Sequence, residues 1–188
     1  QMPGIPGGVG GALRMNAGAF GREIESVTSS VAGFRADGSP CRIARPGIAF
    51  GYRCAPQLES MIITSARFRF QTESAALLRA RVDEILALRR RKQPLEHPSC
   101  GSVFKRPPGY YAGALIESSD LKGERIGGAE VSRKHAGFIL NVGGATATDV
   151  YRLIRRIEER VFERFGIQLE REVHLVGDFS EEGLDDRS

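Results

Sequence analysis

One segment limits the folds open to this chain more than any other. Between Thr146 and Gly166 the apolar residues Val150, Leu153, Ile154, Ile157, Val161 and Phe165 recur at helical spacing, which places them on one stripe of an α-helix. Thr146 can serve as N-cap with Asp149 three residues on, a relative of the capping box. Gly166 supplies the C-terminal stop. A helix with a buried stripe is therefore expected over about 147–165.

Strand signals lie on either side. Ser30-Val31-Ala32-Gly33-Phe34 leads to Asp37-Gly38, a strong turn dipeptide, and then to Cys41-Arg42-Ile43; this pattern predicts a β-hairpin. Residues 61–70 read as a longer strand, alternating over its last half. Leu78, Val82, Ile85 and Leu86 mark a second helix, which Pro94 and Pro98 bring to an end. Further short strands are expected at 124–126, 137–141 and 172–176, with a loop over 98–113. The expected organisation is a first domain over 1–72, a second over 73–180, and a polar tail over 181–188.

Composition narrows the class. The chain has 188 residues, 41% hydrophobic and 27% charged, as in ordinary globular proteins. No apolar run approaches the ~20 residues that span a bilayer, and the first residues lack the layout of a signal peptide. A cytoplasmic location is expected, with no membrane partner. Cys41, Cys54 and Cys100, like His97, His135 and His174, are widely scattered. With neither C-x-x-C nor H-E-x-x-H present, no metal site is expected. The net charge is +4. Its densest basic run, Arg89-Arg90-Arg91-Lys92, is expected to be a solvated helix end. No aromatic residues interleave it, so no nucleic-acid surface is expected; a modestly positive surface would suit a nucleotide-sugar or dinucleotide phosphate.

Five glycines fall in the first eleven residues. Glycine allows positive φ and close approach of a ligand to the main chain, yet the spacing fits neither G-x-G-x-x-G nor the Walker pattern. A chain that starts inside such a loop, with no preceding strand, looks truncated.

Four stretches carry a resemblance. They are GIPGGVGGALRMNAGAFG from Gly4 to Gly21, FGYRCAPQL from Phe50 to Leu58, the long CGSVFKRPPGYYAGALIESSDLKGERIGGAEVSRKHAGFILN block from Cys100 to Asn141, and QLEREVHLVG from Gln168 to Gly177. In this order they resemble the flavin-side loop, the Y-R-x-S strand end, the G-S-x-F-K-N-P and S-x-K-H-A blocks, and the closing L-x-x-E-V of the UDP-N-acetylenolpyruvoylglucosamine reductase (MurB) family. The short interval between Arg53 and Ser102 resembles its compact subclass, which lacks a substrate-capping insertion. The resemblance implies an α+β fold: the second half of an FAD-binding domain of the vanillyl-alcohol-oxidase (VAO/PCMH) type, followed by a small α/β substrate domain.

It also implies a reaction. NADPH reduces bound FAD, which then reduces the enolpyruvyl group of UDP-N-acetylglucosamine enolpyruvate to UDP-N-acetylmuramate in peptidoglycan synthesis. Hydride addition to the terminal vinyl carbon builds negative charge beside the carboxylate, so a proton donor and charge-stabilising groups are needed. Ser102 matches the family's proton donor, Arg53 the partner of the substrate carboxylate, and Glu172 the closing glutamate that assists the charge shift. Read without the family, these would be a turn serine, a surface arginine and the solvent face of a strand. Tyr52, Lys105, Arg106 and His135 match substrate-side or nicotinamide-side positions, with structural roles for Lys105 and His135 left open. Gly4, Ile5, Pro6, Gly7, Gly8, Gly10, Asn16 and Gly18 match the flavin-side loop.

Departures accompany the match. Arg106 replaces an asparagine, Ala55 a serine, Gly8 a serine or threonine, and Gly137 an asparagine. No G-x-G-S-N-type pyrophosphate loop occurs among the 188 residues. Several charge-assisted hydrogen bonds of ~1.5–3 kcal/mol each would then be missing, so weak or no FAD retention by this chain alone is expected. A flavoprotein oxidoreductase of altered substrate, or a binding-only domain with an incomplete flavin site, are the competing expectations.

Overall fold

The computed structural model describes residues 3–179. The chain forms two compact units, Gln1–Arg89 and Arg90–Ser188, and its content is α+β. The expected polar tail over 181–188 lies outside the described residues.

In the first unit, α1 (Val9–Arg14) is followed by a two-residue ribbon of β1 (Gly18–Ala19) and β2 (Arg22–Glu23). Three strands then form an antiparallel sheet in the order β4-β3-β5, from β3 (Thr28–Phe34), β4 (Pro40–Ala44) and β5 (Ile62–Phe68). The expected hairpin is the β3–β4 pair. Gly38 takes φ +81° in its turn, and the Asp37 carboxylate accepts from the Ser39 amide at 2.9 Å, an Asx-type local bond that favours the bend. Val31 of the sheet and Leu13 of α1 are buried in one core cluster with Ile24, Ile48, Ala55, Leu58 and Met61.

Helix α2 (Ala75–Lys92) forms where its spacing predicts, but its apolar stripe is not a core stripe. Leu78 and Val82 are 47% and 38% exposed, whereas Arg89 is only 4% exposed. The cause lies in where this helix meets the first unit. A Cβ on Gly4 would stand 3.0 Å from Arg89 Cδ and 3.1 Å from Leu86 Cδ2, so the last turns close on the chain's glycine-rich segment. Arg89 Nε donates to the Pro3 carbonyl at 2.8 Å, and the guanidinium lies over the Phe20 ring. Arg89 is therefore a buried tie and not part of a solvated helix end, a correction to the reading of the basic run; Arg90, Arg91 and Lys92 are exposed. The two compact units part inside the last turn of α2, later than residue 72, because Leu86 and Arg89 bind that helix to the first unit.

The second unit is a four-stranded antiparallel sheet in the order β6-β9-β8-β7, from β6 (Ser99–Ser102), β7 (Arg125–Ile126), β8 (Ala129–Val131) and β9 (Phe138–Asn141). Helices α3 (Ala112–Ser118) and α4 (Ala147–Phe165) bury Ile116, Leu153, Ile154, Ile157 and Val161 against Val131 and Ile139. α4 starts and stops where its end signals lie. Thr146 accepts from the Asp149 amide at 3.0 Å while Asp149 accepts from the Thr146 amide at 2.9 Å, and Gly166 takes φ +65°. Phe165, expected in the buried stripe, is 38% exposed at the helix end.

Two expectations fail in this unit. The supposed loop over 98–113 holds strand β6 and the start of α3. The strand expected at 172–176 does not form; the nearest pairing is a single bridge between Phe104 and Arg171, just before it. Leu175 and Val176 are 39% and 89% exposed, so their alternation has no apolar surface to cover.

Candidate active site

The expected site residues divide between the units. Ser102, Lys105, Arg106, His135 and Glu172 belong to the second; Arg53, Tyr52 and the glycine-rich segment belong to the first.

In the second unit, Ser102 ends β6 opposite Phe138 of β9. The chain continues straight on with bonds on both flanks: the Val103 amide donates to the Gly137 carbonyl at 2.9 Å, and the Glu172 amide donates to the Val103 carbonyl at 2.8 Å. Ser102 thus sits one residue from a backbone junction that joins the β9 entry to the segment carrying Glu172. That segment is pinned to α4. Arg171 makes a two-pronged contact with Glu158 at 2.5 and 2.7 Å and lies over the Tyr151 ring. The fork fixes orientation as well as distance, and the bond that Arg171 donates to Glu158 pushes the Arg171 pKa up. Glu172 takes its place from Arg171.

Lys105 extends the same run. Its amide donates to the Glu170 carbonyl at 2.8 Å, and its ammonium meets the Glu170 carboxylate at 2.5 Å. The carboxylate is 72% exposed, so the pair contributes little to stability but holds the lysine beside the Ser102 strand. Arg106 donates to the Tyr110 carbonyl at 3.2 Å and stacks 4.0 Å from the Tyr111 ring centroid.

His135 lies in the turn between β8 and β9. The Gly137 amide donates to its Nδ1 at 3.1 Å, which places the proton of the neutral ring on Nε2. The ring packs edge-on against Phe138, the residue opposite Ser102. A Cβ on Gly137 would come within 3.0 Å of His135 Cε1; glycine in place of the family's asparagine leaves the ring room to lie there. Burial lowers the His135 pKa from its ordinary 6.5. Above pH 6.5 both folded and unfolded chains carry the neutral ring. As pH falls below it, the unfolded chain takes up a proton that the fold resists, so stability is lost through the folded pKa. Urea unfolding of the second unit should therefore show a stability decrease below pH 6.5 that is smaller in His135→Gln.

In the first unit, Arg53 occupies a tight turn. Gly51 and Cys54 exchange backbone bonds at 3.0 and 3.4 Å, and Arg53 adopts φ +56°. This left-handed conformation normally falls to glycine or asparagine, so an arginine there carries strain of about 1 kcal/mol. A Cβ on Gly51 would reach Cys54 Sγ at 2.8 Å, so a larger residue there would require the Cys54 side chain to turn aside. The Arg53 guanidinium lies 5.0 Å from the ring of Tyr52, itself 49% exposed.

The glycine-rich segment is not one open loop. α1 begins at Val9 with Gly8 as N-cap, which places Gly10 inside the helix. Gly18 is closed off, since its Cβ would strike the Arg22 carbonyl at 2.4 Å. Gly7 and Gly8 face open space and, with Pro6, are exposed, while Ile5 is half-buried. Their unobstructed main chain fits close contact with a flavin. Asn16, by contrast, is fully buried. Among the described residues no group of three or more His, Cys, Asp or Glu side chains is placed to hold a metal ion, and no helix is long and apolar enough to cross a membrane.

Residues 93–176 match the UDP-N-acetylenolpyruvoylglucosamine reductase C-terminal domain family. The UDP-N-acetylenolpyruvoylglucosamine reductase of Listeria innocua serovar 6a is 49% identical over 176 residues, covering 93% of this chain and 59% of that protein. The one from Exiguobacterium sibiricum is 50% identical over 177 residues, covering 93% and 58%. The crystal structure of the enzyme from Thermus caldophilus superposes with a TM-score of 0.79 at 37% identity, covering 92% of this chain and 62% of that one. The chain thus spans about 59% of the length of the Listeria relative.

Proposed function

This chain belongs to the UDP-N-acetylenolpyruvoylglucosamine reductase family, and from that premise we propose that it supplies the protonating and charge-stabilising groups for reduction of UDP-N-acetylglucosamine enolpyruvate, a step of peptidoglycan synthesis. The observation that carries the reading is the junction at Val103, where Gly137 binds one flank and Glu172 the other. It sets a hydroxyl and a carboxylate on adjoining backbone segments whose positions are fixed by sheet and helix.

When bound, FAD supplies the hydride, drawn in turn from NADPH. The residues of this chain do the rest. Ser102 gives its hydroxyl proton to the carbon beside the carboxylate as negative charge builds there. Serine is a weak acid, so it acts by being held close and in line. Glu172 orients the hydroxyl and assists the charge shift. Arg53 pairs with the substrate carboxylate, where charge accumulates during the step. Tyr52, Lys105, Arg106 and His135 contact the substrate; lysine offers a point charge suited to diphosphate. Gly7 and Gly8 offer main chain to the flavin.

Flavin uptake followed by anaerobic mixing tests this. The reduced protein should regain oxidised-flavin absorbance with UDP-N-acetylglucosamine enolpyruvate and not with UDP-N-acetylglucosamine. Uptake of flavin without reoxidation would point to a different substrate; failure to take up flavin would point to a binding-only domain.

A further inference from the structure

We infer that Asn16 is a positioning residue for Arg53: its side-chain amide holds the Gly51–Cys54 turn in the shape that presents the guanidinium. The inference rests on the proposed role of Arg53. It reassigns Asn16, which the resemblance places among flavin contacts, to the protein's own interior.

Asn16 is fully buried. One amide hydrogen goes to the Glu23 carboxylate at 2.7 Å and the other to the Gly51 carbonyl at 3.1 Å. Its carbonyl oxygen accepts from the Glu25 amide at 3.2 Å. Both donors are thereby spent inside the protein. Asn16 itself adopts φ +39°, a conformation asparagine tolerates better than most residues. A buried amide held by three partners is a rigid joint, and it joins the end of α1, the β2 exit and the Arg53 turn.

The bond to Gly51 matters because that turn is strained. Arg53 at φ +56° persists only if its surroundings over-determine it. Of the turn's two backbone bonds, the one from the Cys54 amide to the Gly51 carbonyl is the longer, at 3.4 Å against 3.0 Å. Asn16 donates to that same carbonyl. Without it the Gly51 peptide can rotate, and Arg53 can relax out of the left-handed region.

Asn16→Gly tests this, because glycine accepts positive φ while the three bonds of the side-chain amide are lost. The flavin-loaded protein is compared as wild type, Asn16→Gly, Arg53→Ala and the double variant. Asn16→Gly should lower kcat/KM for the enolpyruvyl substrate roughly tenfold to hundredfold, the scale of a small misplacement of a reacting group. Flavin content and the rate of flavin reduction by NADPH should stay unchanged. The double variant should be no worse than Arg53→Ala alone, because the two residues act as one unit. Hydrogen exchange at the Cys54 amide should rise about tenfold or more, consistent with local opening. Glu23→Ala, which removes one anchor of the amide, should shift each readout the same way by less, and carries the test if Asn16→Gly does not fold.

Additive losses in the double variant, or loss of flavin from Asn16→Gly, would overturn the inference and leave the role of Arg53 standing. Normal substrate reduction by Arg53→Ala would instead remove the role of Arg53; Cys54 exchange would then decide alone whether Asn16 holds the turn, with unchanged exchange ruling against it.

Discussion

Ser102→Ala in the flavin-loaded protein is expected to lose at least ~10²-fold in reduction of the enolpyruvyl substrate, while flavin reduction by NADPH proceeds at its normal rate. The split follows from what the side chain can do. In the proposed step the hydroxyl has no part in hydride transfer to the flavin, and its proton is needed once charge has built on the substrate. Removing it leaves the backbone as it was. Ser102 pairs with Phe138 through the main chain, and Val103 keeps its bonds to Gly137 and Glu172. The loss therefore falls on a single step. Single-turnover measurement of the two half-reactions separates them: equal slowing of both would mean a folding or binding defect, and normal rates in both would mean another acid.

Ile157→Ala is expected to destabilise the second unit by about 2–5 kcal/mol, much of what a domain of this size has to lose. Ile157 is 1% exposed and lies in the cluster that also holds Ile116, Val131, Ile139, Leu153 and Val161. Truncation removes buried methyl groups and leaves a cavity that α4, fixed at both ends by its capping box and Gly166, cannot easily collapse into. Phe165→Ala, nominally on the same stripe but 38% exposed, should cost far less. Urea unfolding followed by helix signal compares the two; similar losses would show that the stripe is uniformly packed.

How much of this could be read from residues depended on whether the deciding interaction was local. α4 was legible because cap, stripe and stop all act within one helical segment. The β3–β4 hairpin was legible because Asp37 and Gly38 make their turn among themselves. Long-range partners hid the rest. Arg89 sits in a run of four basic residues, and nothing in that run distinguishes the one that turns inward to meet Pro3 and Phe20. Leu78 and Val82 have the spacing of a core stripe, yet spacing says nothing about whether a surface lies opposite. Ser102 and Glu172 were placed by resemblance, and local pattern misjudged both: the four residues of β6 show no alternation, and the alternating residues after Glu172 find no sheet. The positive φ of Arg53 and Asn16 left no signal, since glycine is the residue that usually announces it. For Asn16 the useful clue would have been a polar residue amid Leu13, Ala17 and Ala19, which often means a buried amide with partners.

The central claim is that a hydroxyl on this chain delivers a proton to the substrate carbon beside the carboxylate. Turnover of UDP-N-acetylglucosamine enolpyruvate in heavy water, with the product examined by NMR, tests it most directly. The hydroxyl hydrogen exchanges with solvent, so wild-type product should carry deuterium at that carbon in a single configuration, and Ser102→Ala should yield almost none of this product. Product lacking deuterium there, or formed at an undiminished rate by Ser102→Ala, would contradict the account.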